Sequence, residues 1–280
     1  MNQFEDASQP DSEPEAILPA RQVADGDLRA YVRVAALGDS ATFGIGDRFG
    51  SRWRGWAVLL AEAIGTSHDV SFANFAKSGA TIADVERNQI AEAVDHRPQL
   101  AALVVGMNDT LRSWWDPDVA RRQLLSCAAQ LKGQRTLLMT VRFHDHAELL
   151  PLPRQLKVRL GRRIDALNDI YGEIHEEYGG VQIDLRDYGE PLEKSFWSID
   201  RMHPSEAGHR WLARTFALSL NDAGLAFPLP AETCTGDLPS RTDNVRWLVK
   251  EGAPWLGRRA KDFGPWAARE TLVRAHLLAA

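Results

Sequence analysis

The stretch VRVAALGDSATFGIGD, residues Val32 to Asp47, decides which fold the chain can adopt. It opens with a run of β-branched and aliphatic residues, which is typical of a strand buried on both faces. The run ends at Gly38, where the missing Cβ permits a sharp turn. Asp39 and Ser40 follow at once, so we expect a hydroxyl at the carboxyl end of this strand.

The same alternation continues along the chain. Short apolar runs predict strands, and the longer amphipathic segments between them predict helices. The predicted strands are Val32–Leu37, Val70–Phe75, Leu100–Val105, Thr136–Val141 and Val181–Leu185. The predicted helices are Trp53–Ile64, Ile82–Val94, Pro117–Leu131, Arg154–Tyr178 and Ser205–Leu220. We therefore expect an α/β fold, a three-layer α/β/α sandwich with about five parallel strands, which binds ligands at the carboxyl ends of those strands.

Composition excludes several classes of function. The 280 residues carry a formal net charge of −5, with 44% hydrophobic and 25% charged residues, which is ordinary for a globular protein and gives nucleic-acid binding no support. No apolar run reaches the roughly 18 residues that span a bilayer, and the first residues lack a secretory pattern. Cys127 and Cys234 are too few for a disulfide framework, so we expect two reduced thiols and a cytoplasmic protein.

Three regions differ in composition. Residues 1–25 are acidic with few large apolar groups, which predicts a mobile leader. The alternating strand and helix patterns occupy a main domain at 26–230. Residues 231–280 lack this alternation and form a distinct C-terminal region.

The C-terminal region is rich in tryptophan and arginine. It contains Trp247, Trp255 and Trp266, and from Arg241 onward it has eight basic residues against four acidic ones. The favoured interpretation is a helical extension that packs on the acidic main domain. The alternative is that residues 241–280 make peripheral contact with a membrane or bind a partner protein.

Two of the other strand ends carry groups that can donate hydrogen bonds. Gly79, in the segment NFAKSGATIADV, offers a backbone N–H that no side chain shields. Asn108, in LVVGMNDT, offers an amide N–H directly after a strand. A developing oxyanion needs such donors. Alone, however, Asn108 is more typical of an Asx-turn or a helix cap.

The segment SIDRMHPSEAGH combines a carboxylate and an imidazole three positions apart. Pro204 disfavours helical backbone at His203, so Asp200 and His203 should lie on an irregular loop before a helix that Ser205 caps. There Asp200 can accept a hydrogen bond from one imidazole nitrogen while the other faces a hydroxyl. The titration range of histidine suits His203 to work as a general base.

Each of these pieces is weak alone, but their order along one sheet is specific. The segments GDSATFGIGD, NFAKSGAT, VGMND and DRMHPSEAGH resemble, in that order, the sequence blocks of the SGNH hydrolase superfamily, also called GDSL esterases and lipases. The resemblance covers roughly residues 30 to 220. Ala41 stands where the GDSL word has leucine, a position that varies between lineages. These sequence segments most resemble those of the actinobacterial branch, whose chains often end in a similar helical tail.

This resemblance implies a flavodoxin-like SGNH hydrolase domain and a set of catalytic roles. Ser40 matches the nucleophile, His203 the base, and Asp200 the residue that orients the base. The backbone N–H groups of Ser40 and Gly79 match the oxyanion hole together with the side chain of Asn108. The implied reaction is cleavage of a carboxylic ester with a short acyl or acetyl group through an acyl-enzyme on Ser40, on a small-molecule, lipid or sugar ester.

Further residues are candidates for substrate binding. Trp114 and Trp115 follow Asn108 closely and either wall an acyl pocket or pack beneath the loop. His144 follows the fourth strand and is expected to line the pocket. Asp39 is expected to hold the nucleophile turn by side-chain hydrogen bonds.

Other signals point away from a cofactor. The glycines of GIGDRFG, residues 44–50, come too late after the first strand for a dinucleotide loop. The HDH cluster at 144–146 has no further ligand at metal spacing, so we expect neither a metal nor an organic cofactor. His209 is predicted to lie on a helix surface.

The scaffold leaves the activity open between several alternatives. An acyltransferase or a thioesterase would use the same residues as a hydrolase. A non-catalytic module that binds a membrane or a partner through the C-terminal region is an alternative of another class.

Overall fold

The structure, a computed structural model, describes residues 29–133, 136–150 and 152–233. The predicted leader at 1–25 and the predicted extension, apart from residues 231–233, lie outside the described residues. Cys234 lies outside them as well. Cys127 is described, and it is a buried free thiol.

Seven strands occur in the described residues. They are β1 (Tyr31–Gly38), β2 (Arg48–Phe49), β3 (Arg52–Trp53), β4 (Asp69–Asn74), β5 (Leu100–Val104), β6 (Leu137–Arg142) and β7 (Val181–Asp184). Five of them form one parallel sheet in the order β4-β1-β5-β6-β7. Gly38 pairs with Val104, so β1 and β5 end side by side.

Eight α-helices connect and flank these strands. They are α1 (Ser40–Phe43), α2 (Gly55–Ile64), α3 (Ile82–Asn88), α4 (Ile90–Asp95), α5 (Met107–Thr110), α6 (Pro117–Lys132), α7 (Arg154–Tyr178) and α8 (Glu206–Asp222). Helices α3, α6 and α8 begin at side chains that accept backbone N–H groups. Thr81 forms a reciprocal capping box with Asp84, Asp116 caps α6, and Ser205 caps α8 as predicted.

The central strands are buried on both faces, and side chains alternate between two cores. Val32, Val34 and Ala36 pack against α2 and α8. Ala35 and Leu37 face the opposite way and pack against the layer of α3, α4, α6 and α7. The predicted three-layer sandwich with five parallel strands is therefore confirmed.

Two local features differ from the sequence prediction. The single helix expected over 82–94 is broken at Gln89, whose backbone leaves helical geometry and whose side chain is fully buried. A short antiparallel hairpin of β2 and β3 occupies the segment before α2, where no strand was predicted. Among the described residues no helix is long and apolar enough to cross a membrane.

Candidate active site

The first strand ends in a turn that only glycine can make. Gly38 has a φ of +151°, and a Cβ there would collide with the carbonyl oxygen of Val104. The next residue, Asp39, caps α1, and its Oδ1 accepts the N–H of Ala41 at 3.0 Å. Ser40 is thus the first residue of α1, where backbone N–H groups have no partner within the helix. Its hydroxyl and its N–H lie at the same point of the sheet edge.

The loop before α8 is closed into a hairpin that fixes the candidate base. Trp197 and Pro204 form an antiparallel bridge, and the N–H of Ser198 donates to the carbonyl of His203 at 2.8 Å. At the tip Arg201 has a φ of +58°, unusual for a side chain of this size. Asp200 and His203 therefore project from a closed turn.

These two segments meet in a continuous hydrogen-bonded chain. His203 Nε2 lies 2.8 Å from Ser40 Oγ, although the two residues are 163 positions apart. His203 Nδ1 lies 2.6 Å from Asp200 Oδ2. All three side chains are largely buried. A carboxylate on Nδ1 leaves Nε2 to accept the serine proton, which is the tautomer that a general base needs.

Asp200 is held as a carboxylate by its neighbours. Burial by itself would raise its pKa, but hydrogen bonds from His203, Ser198 and the N–H of Met202 outweigh burial and lower the pKa to about 2. The Oδ1 atom accepts from Ser198 Oγ at 2.7 Å and from two backbone N–H groups. Asp200 is thus charged at neutral pH and holds its carboxylate against His203 Nδ1.

The two other candidate oxyanion donors lie on α5 and on the turn before α3. Asn108 follows Gly106, whose φ of +119° turns the chain off β5. Its Nδ2 lies 2.9 Å from the carbonyl of Ala80 and 3.3 Å from Asp39 Oδ2. Gly79 has a φ of +78° and no atom within 4 Å of a Cβ built on it, so its backbone is open to approach.

A second carboxyl group, which the sequence interpretation did not single out, lies next to Asn108 in the chain. Asp109 is buried and accepts the N–H of Ile82 at 3.1 Å, which fixes the start of α3 just after the loop of Gly79. Burial raises its pKa to about 7. The N–H of Ile82 opposes this shift, and the nearby charge of Asp39 adds to it. The sequence signal that could have identified Asp109 is its position directly after Asn108 in the segment VGMND.

Three polar side chains hold the carboxyl ends of three strands, and the sequence interpretation missed all of them. Gln89 accepts from the N–H and donates to the carbonyl of Gly38, both at 2.9 Å. The Tyr171 hydroxyl binds both backbone groups of Val105, at 3.0 and 2.8 Å. Asn168 binds both groups of Phe143, at 2.6 and 2.7 Å. Each side chain supplies hydrogen bonds to backbone groups at the end of a strand, where hydrogen bonds between strands stop. The loops that follow therefore start from fixed positions.

A pocket of about 80 Å³ opens beside Ser40 and His203. Its walls are otherwise mainly apolar and come from both sheet and helices. They include Trp56, Val104, Val141, Phe143, Leu185, Phe196, Trp197, Leu212 and Phe216. This volume holds about five to eight water-sized groups, which is the scale of a short acyl chain.

The predicted substrate residues fall into two groups. Asp39 and His144 line this pocket. Trp114 is 58% exposed, and Trp115 is partly buried and packs against the core on the side of α3, α4, α6 and α7. Neither tryptophan is among the described residues that line the pocket, so their role in substrate binding stays a prediction.

The expectation for His209 was wrong. This residue lies on the inner face of α8 and is fully buried, since a surface pattern in sequence does not show that the segment 45–56 packs over it. Its Nδ1 accepts the N–H of Trp56 at 3.2 Å, and its Nε2 faces the carbonyl of Ile45 at 2.9 Å. Burial lowers its pKa to about 4, so it is neutral at pH 7.

Within the described part of the chain, no cluster of three or more His, Cys, Asp or Glu side chains could hold a metal ion. The pair His144 and His146 is therefore without a third ligand of these types. Burial raises the pKa of the Cys127 thiol to about 12, which makes it unreactive at neutral pH.

Comparison with known proteins identifies the family of the chain. Residues 36–211, which include the three triad candidates, match the model of the GDSL-like lipase/acylhydrolase family. The chain is 23% identical over 184 residues to an acetylxylan esterase from Geobacillus stearothermophilus, a match that covers 60% of this chain and 80% of that protein.

Solved structures share the fold at low sequence identity. The structure of TesA is 20% identical, with a TM-score of 0.56, and the match covers 69% of this chain and 99% of TesA. A psychrotrophic esterase, EstA from Pseudoalteromonas sp., is 15% identical, with a TM-score of 0.54, over 68% of this chain and 97% of EstA. The chain belongs to the GDSL-like lipase/acylhydrolase family, and it is an esterase of the SGNH type.

Proposed function

We propose that this protein is a serine esterase that cleaves short acyl or acetyl esters through an acyl-enzyme on Ser40. The observation that carries the proposal is the hydrogen-bonded chain from Ser40 Oγ through His203 to Asp200, with distances of 2.8 and 2.6 Å. The relatives support it. Variants of the acetylxylan esterase Axe2 that replace one serine, one aspartate or one histidine by alanine are described as catalytic mutants.

The first half of the reaction builds the acyl-enzyme. Ser40 Oγ attacks the ester carbonyl carbon while His203 Nε2 takes the hydroxyl proton. Asp200 stabilises the resulting imidazolium through Nδ1. When the tetrahedral intermediate collapses, the C–O bond to the alcohol breaks, and the alcohol leaves with the proton from Nε2.

Three donors are assigned to the oxyanion. They are the N–H groups of Ser40 and Gly79 and the Nδ2 of Asn108. Of the two Nδ2 contacts, that with the carbonyl of Ala80 is the shorter, so the N–H directed at Asp39 Oδ2, with an N···O distance of 3.3 Å, is the one that turns to the oxyanion. Loss of one such donor costs about 100- to 1000-fold in kcat.

The second half of the reaction releases the acid. His203 Nε2 removes a proton from water, the hydroxide attacks the acyl carbon, and Ser40 Oγ leaves with the proton. The acyl group lies in the apolar pocket, whose volume of about 80 Å³ suits short chains. If an alcohol took the place of water, the same site would be an acyltransferase. If the substrate were a thiol ester, it would be a thioesterase.

The experiment compares p-nitrophenyl acetate, butyrate and decanoate as substrates. We expect turnover that is highest for the short esters and that disappears in Ser40→Ala, while the matched control Ser126→Ala, on α6, keeps it. A fluorophosphonate probe should add its mass at Ser40. Turnover that survives in Ser40→Ala, or labelling at another residue, would contradict the proposal.

A further inference from the structure

The buried histidine of α8, His209, makes two hydrogen bonds to the backbone of one distant segment, residues 45–56. Its Nδ1 lies 3.2 Å from the N–H of Trp56, and its Nε2 lies 2.9 Å from the carbonyl of Ile45. A backbone N–H can only donate, so Nδ1 is the unprotonated nitrogen. The proton of the neutral ring is therefore on Nε2, which donates to the carbonyl of Ile45. One tautomer satisfies both contacts, and the ring holds both ends of the segment.

The contact with Trp56 completes the N-terminus of α2. The N–H groups of a first helical turn have no partner within the helix, and the N-cap residue Arg54 supplies no side-chain hydrogen bond to them. Asp47 Oδ2 accepts the N–H of Gly55 at 3.2 Å, and His209 accepts the next one. A side chain of α8 thus fixes the start of α2, and with it the position of Trp56 in the pocket wall.

The contact with Ile45 lies between the nucleophile and the base. The N–H of Ile45 donates to the carbonyl of Ser40 at 3.0 Å. The next residue, Gly46, has a φ of +106°, and a Cβ there would collide with the carbonyl oxygen of Pro204. The segment therefore contacts the backbone of the nucleophile through one residue and the backbone next to His203 through the following one.

Charged side chains join the same segment to α8. Asp47 is only 1% exposed and accepts two hydrogen bonds from Arg54, both at 2.9 Å. Arg54 Nη2 also donates to Glu206, in the first turn of α8, at 3.0 Å. Since α8 begins directly after the loop that carries His203, these contacts and those of His209 resist movement of the segment relative to that loop.

We propose that His209 is a positioning residue for the esterase reaction, because it holds segment 45–56 as the spacer that sets the distance between Ser40 Oγ and His203 Nε2. This inference rests on the proposed function and assigns a residue to the same site. A displacement of about 1 Å at the reacting groups costs about 100-fold in rate. Loss of the two hydrogen bonds should therefore lower kcat, whereas KM should change little.

The test measures kcat per active site in His209→Phe, which keeps an aromatic ring and loses both hydrogen bonds. A fluorophosphonate, allowed to react to completion, counts the active sites, so misfolded protein does not affect the value. With p-nitrophenyl butyrate we expect kcat per site to fall about 10- to 100-fold and KM to change by less than about threefold. His209→Gln keeps an acceptor and a donor and should recover most of the loss.

The matched control is His96→Phe. His96 Nε2 lies 3.2 Å from the carbonyl of Ser71 on β4, so this variant also loses a hydrogen bond to the backbone. Neither residue lines the pocket among the described residues. The control should therefore keep the kcat per site of the wild type.

Three outcomes would overturn the inference. One is an unchanged kcat per site in His209→Phe, since His209 would then contribute only to folding. Another is a His209→Gln variant as slow as His209→Phe. The third needs no variant, because ¹⁵N NMR of the wild type should show the proton of His209 on Nε2, and a proton on Nδ1 would contradict the contact with Trp56. Failure of the esterase proposal is distinct, since the wild type would then neither turn over the ester nor react with the fluorophosphonate.

Discussion

Two buried carboxyl groups in this site have opposite electrostatics. Asp200 has a pKa lowered to about 2, and Asp109 has a pKa raised to about 7. Burial raises the pKa of both, so burial does not separate them. Asp200 accepts hydrogen bonds from two side chains and two backbone N–H groups, whereas Asp109 has the N–H of Ile82 and its own N–H and lies near the charge of Asp39.

The difference shows that donor number decides the charge of a buried acid. Asp200 has enough donors to remain an anion in a place that water hardly reaches, and a charged partner of His203 is what the proposed mechanism requires. For Asp109, burial is the largest effect and the nearby charge of Asp39 adds to it, so the pKa is raised to about 7. The protein thus contains one buried acid that is charged at neutral pH and one whose pKa lies near neutrality.

The largest expected effect is on catalysis, when the charge of Asp200 is removed. Asp200→Asn keeps the shape but loses the carboxylate that orients and stabilises His203, so kcat should fall by about 10²- to 10⁴-fold. The measurement is turnover of a short p-nitrophenyl ester. Asp169→Asn, on an exposed position of α7, is the matched control and should keep full activity. Full activity in Asp200→Asn would show that its charge is irrelevant.

The next effect is on stability, when the charge of Asp109 is removed. A folded pKa above the unfolded value means that ionisation destabilises the fold as the pH rises from about 4 to 7. Asp109→Asn keeps an oxygen for the N–H of Ile82, so its free energy of unfolding relative to wild type should rise over this range by about 3 kcal/mol. Urea denaturation at pH 4, 5.5 and 7 measures this. A difference that does not depend on pH would refute the raised pKa.

The pH dependence for Asp200 should have the opposite sign. Its pKa in the folded state lies below the unfolded value of 3.8. The contribution of Asp200 to the free energy of unfolding is therefore present above about pH 4 and is lost as the pH falls toward 2. The stability difference between wild type and Asp200→Asn should therefore shrink by about 2 kcal/mol over this acidic range. Acid titrations of both proteins, followed by circular dichroism, make the comparison. Parallel titration curves would count against it.

The smallest expected effect extends the comparison to a neutral group. Gln89→Leu leaves the N–H and carbonyl of Gly38 without their side-chain partner, which should cost about 1–3 kcal/mol of unfolding free energy. Because Gly38 precedes Asp39 and Ser40, kcat should also fall by a few-fold. Gln130→Leu, an exposed position on α6, is the control. A stable Gln89→Leu with unchanged kcat would mean that strand pairing alone holds this turn.

Much of the fold followed from local patterns. The five strands of the main sheet were predicted to within one residue at each end, since continuous apolar runs that stop at glycine or polar residues are local signals. The break at Gln89 was not predictable, because a single polar residue in a helical pattern does not show which strand end its side chain reaches. His209 was misplaced for the same reason, as the segment that covers it is 153 to 164 positions away.

The sequence by itself determined the layer architecture and the order in which a serine, a glycine, an asparagine and an aspartate–histidine pair follow the strands. Periodicity and turn chemistry depend on neighbours within a few residues, so they can be read along the chain. Only the tertiary structure decided the 2.8 Å contact between Ser40 and His203, the opposite pKa shifts of Asp109 and Asp200, and the two buried contacts of His209. Those properties depend on which distant groups replace water around a buried atom, and that is settled only when the layers pack together.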